Sequence, residues 1–220
     1  LLQEAEELAG RGVKELIVIA QDITRYGLDR EDGSNLSKLL RALCRLPFRW
    51  IRLHYLYPEA VTDELIETIA GERKILHYLD IPIQHCNDGI LSAMRRRTTK
   101  AELITLFDKL RAAMPDVVIR TSLICGLPGE TDEAFEELCD FLREQKLQRA
   151  GVFQYSREEG TLAARMEDQV DDDTARRRVE LVVDLQSRVM DEWNESRLGE
   201  TVEVLCEGFD PQEGCYVGRT

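Results

Sequence analysis

The chemistry-bearing residues concentrate in RTSLICGLPGET, residues 120–131. Apolar and β-branched residues end at Cys125. Gly126, Pro128 and Gly129 follow, then Glu130 and Thr131 ahead of a helical pattern. Such a pattern is a strand feeding a helix through a turn that uses two glycines. Gly126 lets the chain turn with no Cβ in the way, and Gly129 lets a flat ligand group lie against the main chain. A plain strand-to-helix turn explains the glycines equally well. A phosphate loop does not fit: G-x-x-x-x-G-K-[ST] is absent, and Glu130 would set negative charge beside phosphate. Arg120, upstream on the same strand, has the planar fork that grips a carboxylate through two parallel N–H bonds.

Other reactive side chains point to less. Cys44, Cys86, Cys125, Cys139, Cys206 and Cys215 are spread too widely for a C-x-x-C pair or a secreted disulfide scaffold. They are expected to be reduced thiols acting as small core residues, which implies a cytoplasmic setting. His54, His77 and His85 lack metal-ligand spacing. His85, beside Gln84, is the one expected to line a pocket. Arg95, Arg96 and Arg97 read as a solvated helix end, with a contact to substrate or to a neighbouring domain as the alternative.

The elements that would carry these residues alternate along the chain. Strands are expected at ELIVIAQD, WIRLHYLYP, LHYLDIPIQH, VVIRTSLIC and AGVFQYS, each followed by helical sequence or a turn. Thr62 is a helix N-cap, and Thr99 with Glu102 has capping-box spacing. Leu103, Phe107 and Leu110 form one buried helix face, and Phe135, Leu138, Cys139 and Leu142 another. The fold class is therefore α/β, a parallel sheet with helices outside and right-handed crossovers. Chemistry in such sheets collects at the carboxyl ends of the strands. Here those ends are Gln21-Asp22, His54 to Tyr57, Gln84-His85, Ser122 to Gly126, and Gln154 to Ser156. Five mostly polar or aromatic ends favour a shared ligand site, although any one of them could simply be a polar strand end.

From Asp171 one long charged helix is expected, with Val179, Val182, Val183, Val189, Met190 and Trp193 as its apolar stripe and Gly199 at its end. ETVEVLCEGFD and GCYVGRT then read as antiparallel strands. The expected division is residues 1–170, a connecting helix at 171–198, and the start of a small β domain at 199–220. The formal net charge of -13 opposes binding to a nucleic-acid backbone and favours a cationic partner. No apolar run approaches the roughly 18 residues of a membrane span.

Six stretches in order, VIAQDITRYG, IRLHYLYP, DIPIQHCND, MRRRTTK, RTSLICGLPGET and VFQYSREEGTLAA, resemble the radical S-adenosylmethionine methylthiotransferases. The resemblance is closest to the ribosomal-protein branch, the family called RimO. It implies a partial, TIM-like (β/α) barrel followed by a TRAM domain. It also implies that the intact protein is an enzyme that methylthiolates an aspartate of ribosomal protein uS12. The cofactors implied are S-adenosylmethionine and [4Fe-4S] clusters, with an electron donor such as flavodoxin or ferredoxin. By the same resemblance, Gln21 and Asp22 would hold the methionine amino group. Gln84, Arg120 and Ser122 would face ribose and carboxylate. Gly126, Gly129 and Glu130 lie in the segment beside the adenine and methionyl portions, and Gln154 and Tyr155 would offer backbone groups to the adenine edge.

One departure accompanies the resemblance. The family's C-x-x-x-C-x-x-C cluster loop does not occur among these residues, and the six cysteines cannot replace it. The chain, which begins at Leu1, is thus expected to be a fragment that lacks the cluster loop, the first barrel strand and the preceding domain, and to be inactive alone. No catalytic acid, base or nucleophile is assigned, because the cofactors carry the hard chemistry. Two other readings stand beside this one: a tRNA adenosine methylthiotransferase, and a non-enzymatic binding barrel that has lost its cluster.

Overall fold

The computed structural model describes residues 1–220. Five parallel strands form one sheet in chain order: β1 (Glu15–Val18), β2 (Trp50–Leu53), β3 (Ile75–Asp80), β4 (Val118–Cys125) and β5 (Arg149–Gln154). Helix α1 (Leu2–Gly10) precedes β1, α2 (Leu36–Leu43) joins β1 to β2, and α3 (Asp63–Gly71) joins β2 to β3. Then α4 (Asp88–Ala93) and α5 (Lys100–Ala113) lead to β4, and α6 (Asp132–Gln145) leads to β5. Sequential parallel neighbours joined by right-handed crossovers put the helices on one side of the sheet. This is the expected α/β arrangement of a partial barrel.

Local chemistry starts most of these helices. Asn35, Thr62, Asn87 and Thr131 each accept a backbone N–H from the first turn with a side-chain oxygen. Thr99 and Glu102 complete the expected capping box on α5. The expected faces of α5 and α6 are buried, and they join a core of 36 residues between helices and sheet. In β4 burial alternates: Ile119, Thr121, Leu123 and Cys125 face the helices, whereas Val118, Arg120, Ser122 and Ile124 are half exposed on the other face. The third strand is shorter than its sequence suggests. It stops at Asp80, because Pro82 has no N–H to donate and Gln84 takes a left-handed φ of 69°. Gln84 nonetheless bridges to β4, receiving the Ile124 N–H and donating to the Ser122 carbonyl.

Helix α7 (Asp172–Ser196) packs on α6, β4 and β5. Its buried positions are Ala175, Arg178, Val182, Gln186 and Val189. The apolar stripe read from sequence is therefore corrected. Val183 is exposed, and two polar residues hold buried places because each finds partners: Gln186 donates to the Leu147 carbonyl at 2.7 Å, and Arg178 reaches the loop after β4. Strands β6 (Leu205–Asp210) and β7 (Cys215–Arg219) form an antiparallel hairpin. Arg219 ties the hairpin to Glu15 of β1 at 2.8 Å.

Four cysteines behave as small core residues, but Cys206 and Cys215 are exposed on the hairpin, contrary to the sequence expectation. Burial pushes the Cys86 and Cys125 thiols up to about 12, so both stay protonated. No helix is long and apolar enough to cross a membrane.

Candidate functional site

The carboxyl end of β4 is built from the inside. Glu130 is 3% exposed, and its carboxylate accepts the backbone N–H groups of Gly126 and, at 3.1 Å, Leu127. Arg178 donates to the Glu130 carbonyl at 2.8 Å and to Asp132 at 2.7 Å, and sits 3.4 Å from the Glu130 carboxylate. A carboxylate this deep is tolerated only with such partners. His85 packs against it. Its Nδ1 accepts the Asn87 N–H at 3.0 Å, and its Nε2 stands 3.6 Å from Glu130 Oε1, too far for a hydrogen bond, so both atoms are buried without a partner. Two expectations change here. Glu130 folds the loop inward, and His85, fully buried beside it, lines no open pocket.

The two loop glycines have different causes. Both have positive φ, 81° at Gly126 and 80° at Gly129. A Cβ on Gly126 would lie 2.4 Å from the Ala175 Cβ, so what comes close to this backbone is helix α7. A Cβ on Gly129 would meet nothing within 4 Å, which leaves open space against the main chain.

On the sheet face away from the helices lies a polar cluster. Asp80 is 1% exposed; its Oδ1 accepts Arg120 Nη1 at 2.7 Å, and its Oδ2 lies 3.2 Å from His54 Nδ1. Arg120 thus spends one nitrogen on a carboxylate of the protein, and its expected two-pronged grip on a ligand is reduced to the nitrogens that remain. Arg52 pairs with buried Glu15 at 2.7 Å and lies over the Tyr78 ring at 4.8 Å. Burial raises the Tyr78 phenol above its ordinary value, while Arg120, Arg52 and Arg149 pull it the other way.

The remaining expected residues sit as follows. Asp22 caps the short 3-10 turn Ile23–Arg25 through Thr24, a local task that competes with holding an amino group, and Gln21 beside it is exposed. Ser122 is half exposed, and its hydroxyl has no protein partner. Gln154 is exposed and contacts the Asp172 carbonyl at 3.4 Å. The Tyr155 N–H is already given to the Cys125 carbonyl at 2.8 Å, and its Oη is buried without a partner. The structure gathers Gln84, Ser122, Gly126, Gly129 and Tyr155 around the ends of β3, β4 and β5. Gln21 and Asp22 lie after β1, the far edge strand of the sheet.

Sequence reasoning passed over two groups. Arg96 is not a solvated helix end: its guanidinium lies over the Tyr57 ring at 4.8 Å, and its Nη1 is buried with no hydrogen-bond acceptor. Position in an arginine run hid it. Asp80 had a visible signal, a carboxylate closing an apolar strand.

S-Adenosylmethionine suits this rim. Open space over Gly129 and the free Ser122 hydroxyl offer room and a donor for an amino-acid-bearing nucleoside. An iron–sulfur cluster does not suit the cysteines present. Four are buried thiols, and no three metal-ligating side chains gather anywhere in the structure.

The profile of the Radical SAM superfamily matches residues 1–142. Among curated proteins, the chain is 47% identical to "Ribosomal protein uS12 methylthiotransferase RimO" of Lachnoclostridium phytofermentans, over 100% of this chain and 50% of the relative. It is 49% identical to the protein of that name from Pelotomaculum thermopropionicum, again over 100% and 50%. The chain thus spans about half the length of the curated relatives it matches. Among solved structures, coproporphyrinogen III oxidase (HemN) from Escherichia coli aligns with a TM-score of 0.63 at 15% identity, over 86% of this chain and 44% of that one. The methyltransferase TsrM from Kitasatospora setae aligns at 0.55 and 18%, over 70% and 30%. These structures share the fold.

Proposed function

Because this chain belongs to the Radical SAM superfamily, we propose that it is the cofactor-cradling part of a methylthiotransferase acting on ribosomal protein uS12. The observation that carries this reading is whole-chain identity of 43–49% to relatives of that name, joined to a rim of strand ends with open space and unspent donors. When bound beside a reduced cluster, S-adenosylmethionine supplies hydrogen-abstracting power and a methyl group. The chain supplies orientation. Gln84, Ser122 and the remaining Arg120 nitrogens would face the ribose and carboxylate, and the main chain at Gly129 a flat face of the nucleoside. The Glu130 and Arg178 brace keeps that loop in one shape, so the reacting groups meet without reorganisation. The apolar patch of Ile90, Leu127, Ile124 and Tyr155 beside the loop keeps water out.

The expected division is part of the same proposal: a barrel portion at 1–170, a linking helix at 171–198, and the start of a TRAM domain at 199–220. So are a cytoplasmic setting and a small redox protein as electron donor. The charge of -13 supports a basic ribosomal protein as partner over a tRNA. The test uses the full-length protein with its clusters reconstituted, S-adenosylmethionine, a reductant, and either uS12 or tRNA. The expected result is 5′-deoxyadenosine together with uS12 that has gained a methylthio group in place of hydrogen. A methylthio group on tRNA with none on uS12 would reverse the reading.

A further inference from the structure

At the end of β2 stands a histidine whose outer ring nitrogen has its character set by the fold. Ile51 and Leu53 are fully buried toward the helices, so Arg52 and His54 point to the other face of the sheet. His54 follows β2 directly and keeps its place in the sheet, because its N–H donates to the Val18 carbonyl of β1 at 3.1 Å. Its Nδ1 lies 3.2 Å from Asp80 Oδ2. The Oδ1 of that carboxylate accepts Arg120 Nη1 at 2.7 Å, and Asp80 is 1% exposed. A carboxylate can only accept, so the neutral imidazole carries its proton on Nδ1. The Nε2 is left as a bare lone pair. It has no partner in the protein and is open to solvent.

Two tyrosine rings flank the imidazole. Tyr78 stands edge-on with its centroid 6.1 Å away, and Tyr55 is tilted at 6.3 Å. Arg52 lies over the Tyr78 ring at 4.8 Å and is itself held by Glu15. Tyr55 has a φ of 61°, a left-handed conformation that a non-glycine residue keeps only where its neighbours impose it. Here the Tyr55 carbonyl accepts the Ile23 N–H at 3.2 Å, and the next residue, Leu56, donates to the Asp80 carbonyl at 2.9 Å. Backbone bonds on both sides hold the strain, which leaves the Tyr55 ring exposed beside His54. A preset acceptor between flat apolar walls suits a planar group that carries an N–H, with little ordering cost on binding. A peptide unit is such a group. None of the residues assigned to the cofactor lies at the end of β2, so this strand end is left for the other reactant.

We infer that His54 is a specificity-determining residue whose Nε2 accepts a main-chain N–H of the polypeptide substrate, and that Asp80 is the positioning residue that fixes its tautomer. This rests on the proposed methylthiotransferase reading. A bare lone pair repels carbonyl and carboxylate oxygens, so the site selects a donor and thereby sets the direction in which the substrate chain lies. Asparagine at position 80 would invert the selection. Arg120 would claim the amide oxygen, and the amide N–H would face Nδ1. The ring proton would then sit on Nε2, turning the acceptor into a donor.

The test is equilibrium binding of overlapping uS12 peptides by the full-length, cluster-loaded protein, with each main-chain N–H in turn replaced by an ester oxygen. That exchange removes one donor and adds no bulk. The proteins are the unsubstituted one, His54→Asn, His54→Gln and Asp80→Asn. The expected result is one position at which the ester binds about fivefold more weakly, the net worth of one hydrogen bond. His54→Asn keeps a donor to Asp80 but falls short of the ligand, and should abolish that difference. His54→Gln carries a carbonyl out to the place of Nε2 and should keep it. Asp80→Asn should abolish it with the imidazole still present. Both His54 changes should leave S-adenosylmethionine binding as it was. The inference is overturned if no position shows the difference, if the difference survives His54→Asn or Asp80→Asn, or if His54→Gln loses it as fully as His54→Asn. It is also overturned if the His54 changes instead erase a preference for S-adenosylmethionine over its 2′- or 3′-deoxyribose forms, which would make the donor a ribose hydroxyl. Failure of the functional reading shows separately, as an unsubstituted protein that makes no methylthiolated uS12.

Discussion

Replacing Gly126 with alanine separates the two explanations for the glycine turn after β4. The new methyl group would sit 2.4 Å from the Ala175 Cβ and 3.2 Å from its Cα, in a residue held at φ 81°. The left-handed conformation costs a non-glycine residue about 1–2 kcal/mol. Forcing a carbon into packed space costs about 1–3 kcal/mol more. The sum, about 2–5 kcal/mol, should appear as a lower urea midpoint with an unchanged slope. Gly129→Ala has the same backbone conformation and open space around it, so it should lose only the first part. Ala175→Gly costs about 1 kcal/mol by helix propensity but removes the colliding methyl group. Combined with Gly126→Ala, it should recover about 1–3 kcal/mol relative to the sum of the single changes. Equal losses at Gly126 and Gly129, or a coupling within about 0.5 kcal/mol of zero, would show that helix α7 is not the reason for the glycine.

Two further outcomes follow from the buried groups. Arg178→Met strips the Glu130 carboxylate of its guanidinium and should cost about 3 kcal/mol in urea denaturation, with part regained in Glu130→Gln/Arg178→Met; a loss under about 1 kcal/mol would mean that the two backbone N–H groups suffice. The Cys86 and Cys125 thiols ionise at about 12 in the fold against an ordinary 9.0, so between those values the unfolded chain loses protons first. Their contribution is intact below about pH 9 and falls as pH rises, by about 1.4 kcal/mol per thiol at about pH 10. Cys86→Ala/Cys125→Ala should flatten that alkaline decline in the urea midpoint, and an unchanged slope would refute it.

The sequence by itself determined what depends on neighbours a few residues away. Thr62, Thr99 and Glu102 cap helices because a cap is made within one turn, and the buried faces of α5 and α6 follow from a 3.6-residue period. Order and spacing of strands and helices dictated a parallel sheet, whose carboxyl ends then had to share one side. Tertiary structure alone decided which groups at those ends are spent and which are free. Glu130 reads as a loop carboxylate until Arg178, 48 residues on, and His85 close over it. Arg120 reads as a ligand grip until Asp80 takes one of its nitrogens, and Arg96 as one of three solvated arginines until Tyr57 lies beneath it. Gly126 reads as a turn glycine until Ala175 is seen to pack against it. Local pattern specifies which elements form, because backbone conformation and capping are short-range. Whether a charged or flexible residue is satisfied depends on what packs against it from distant parts of the chain.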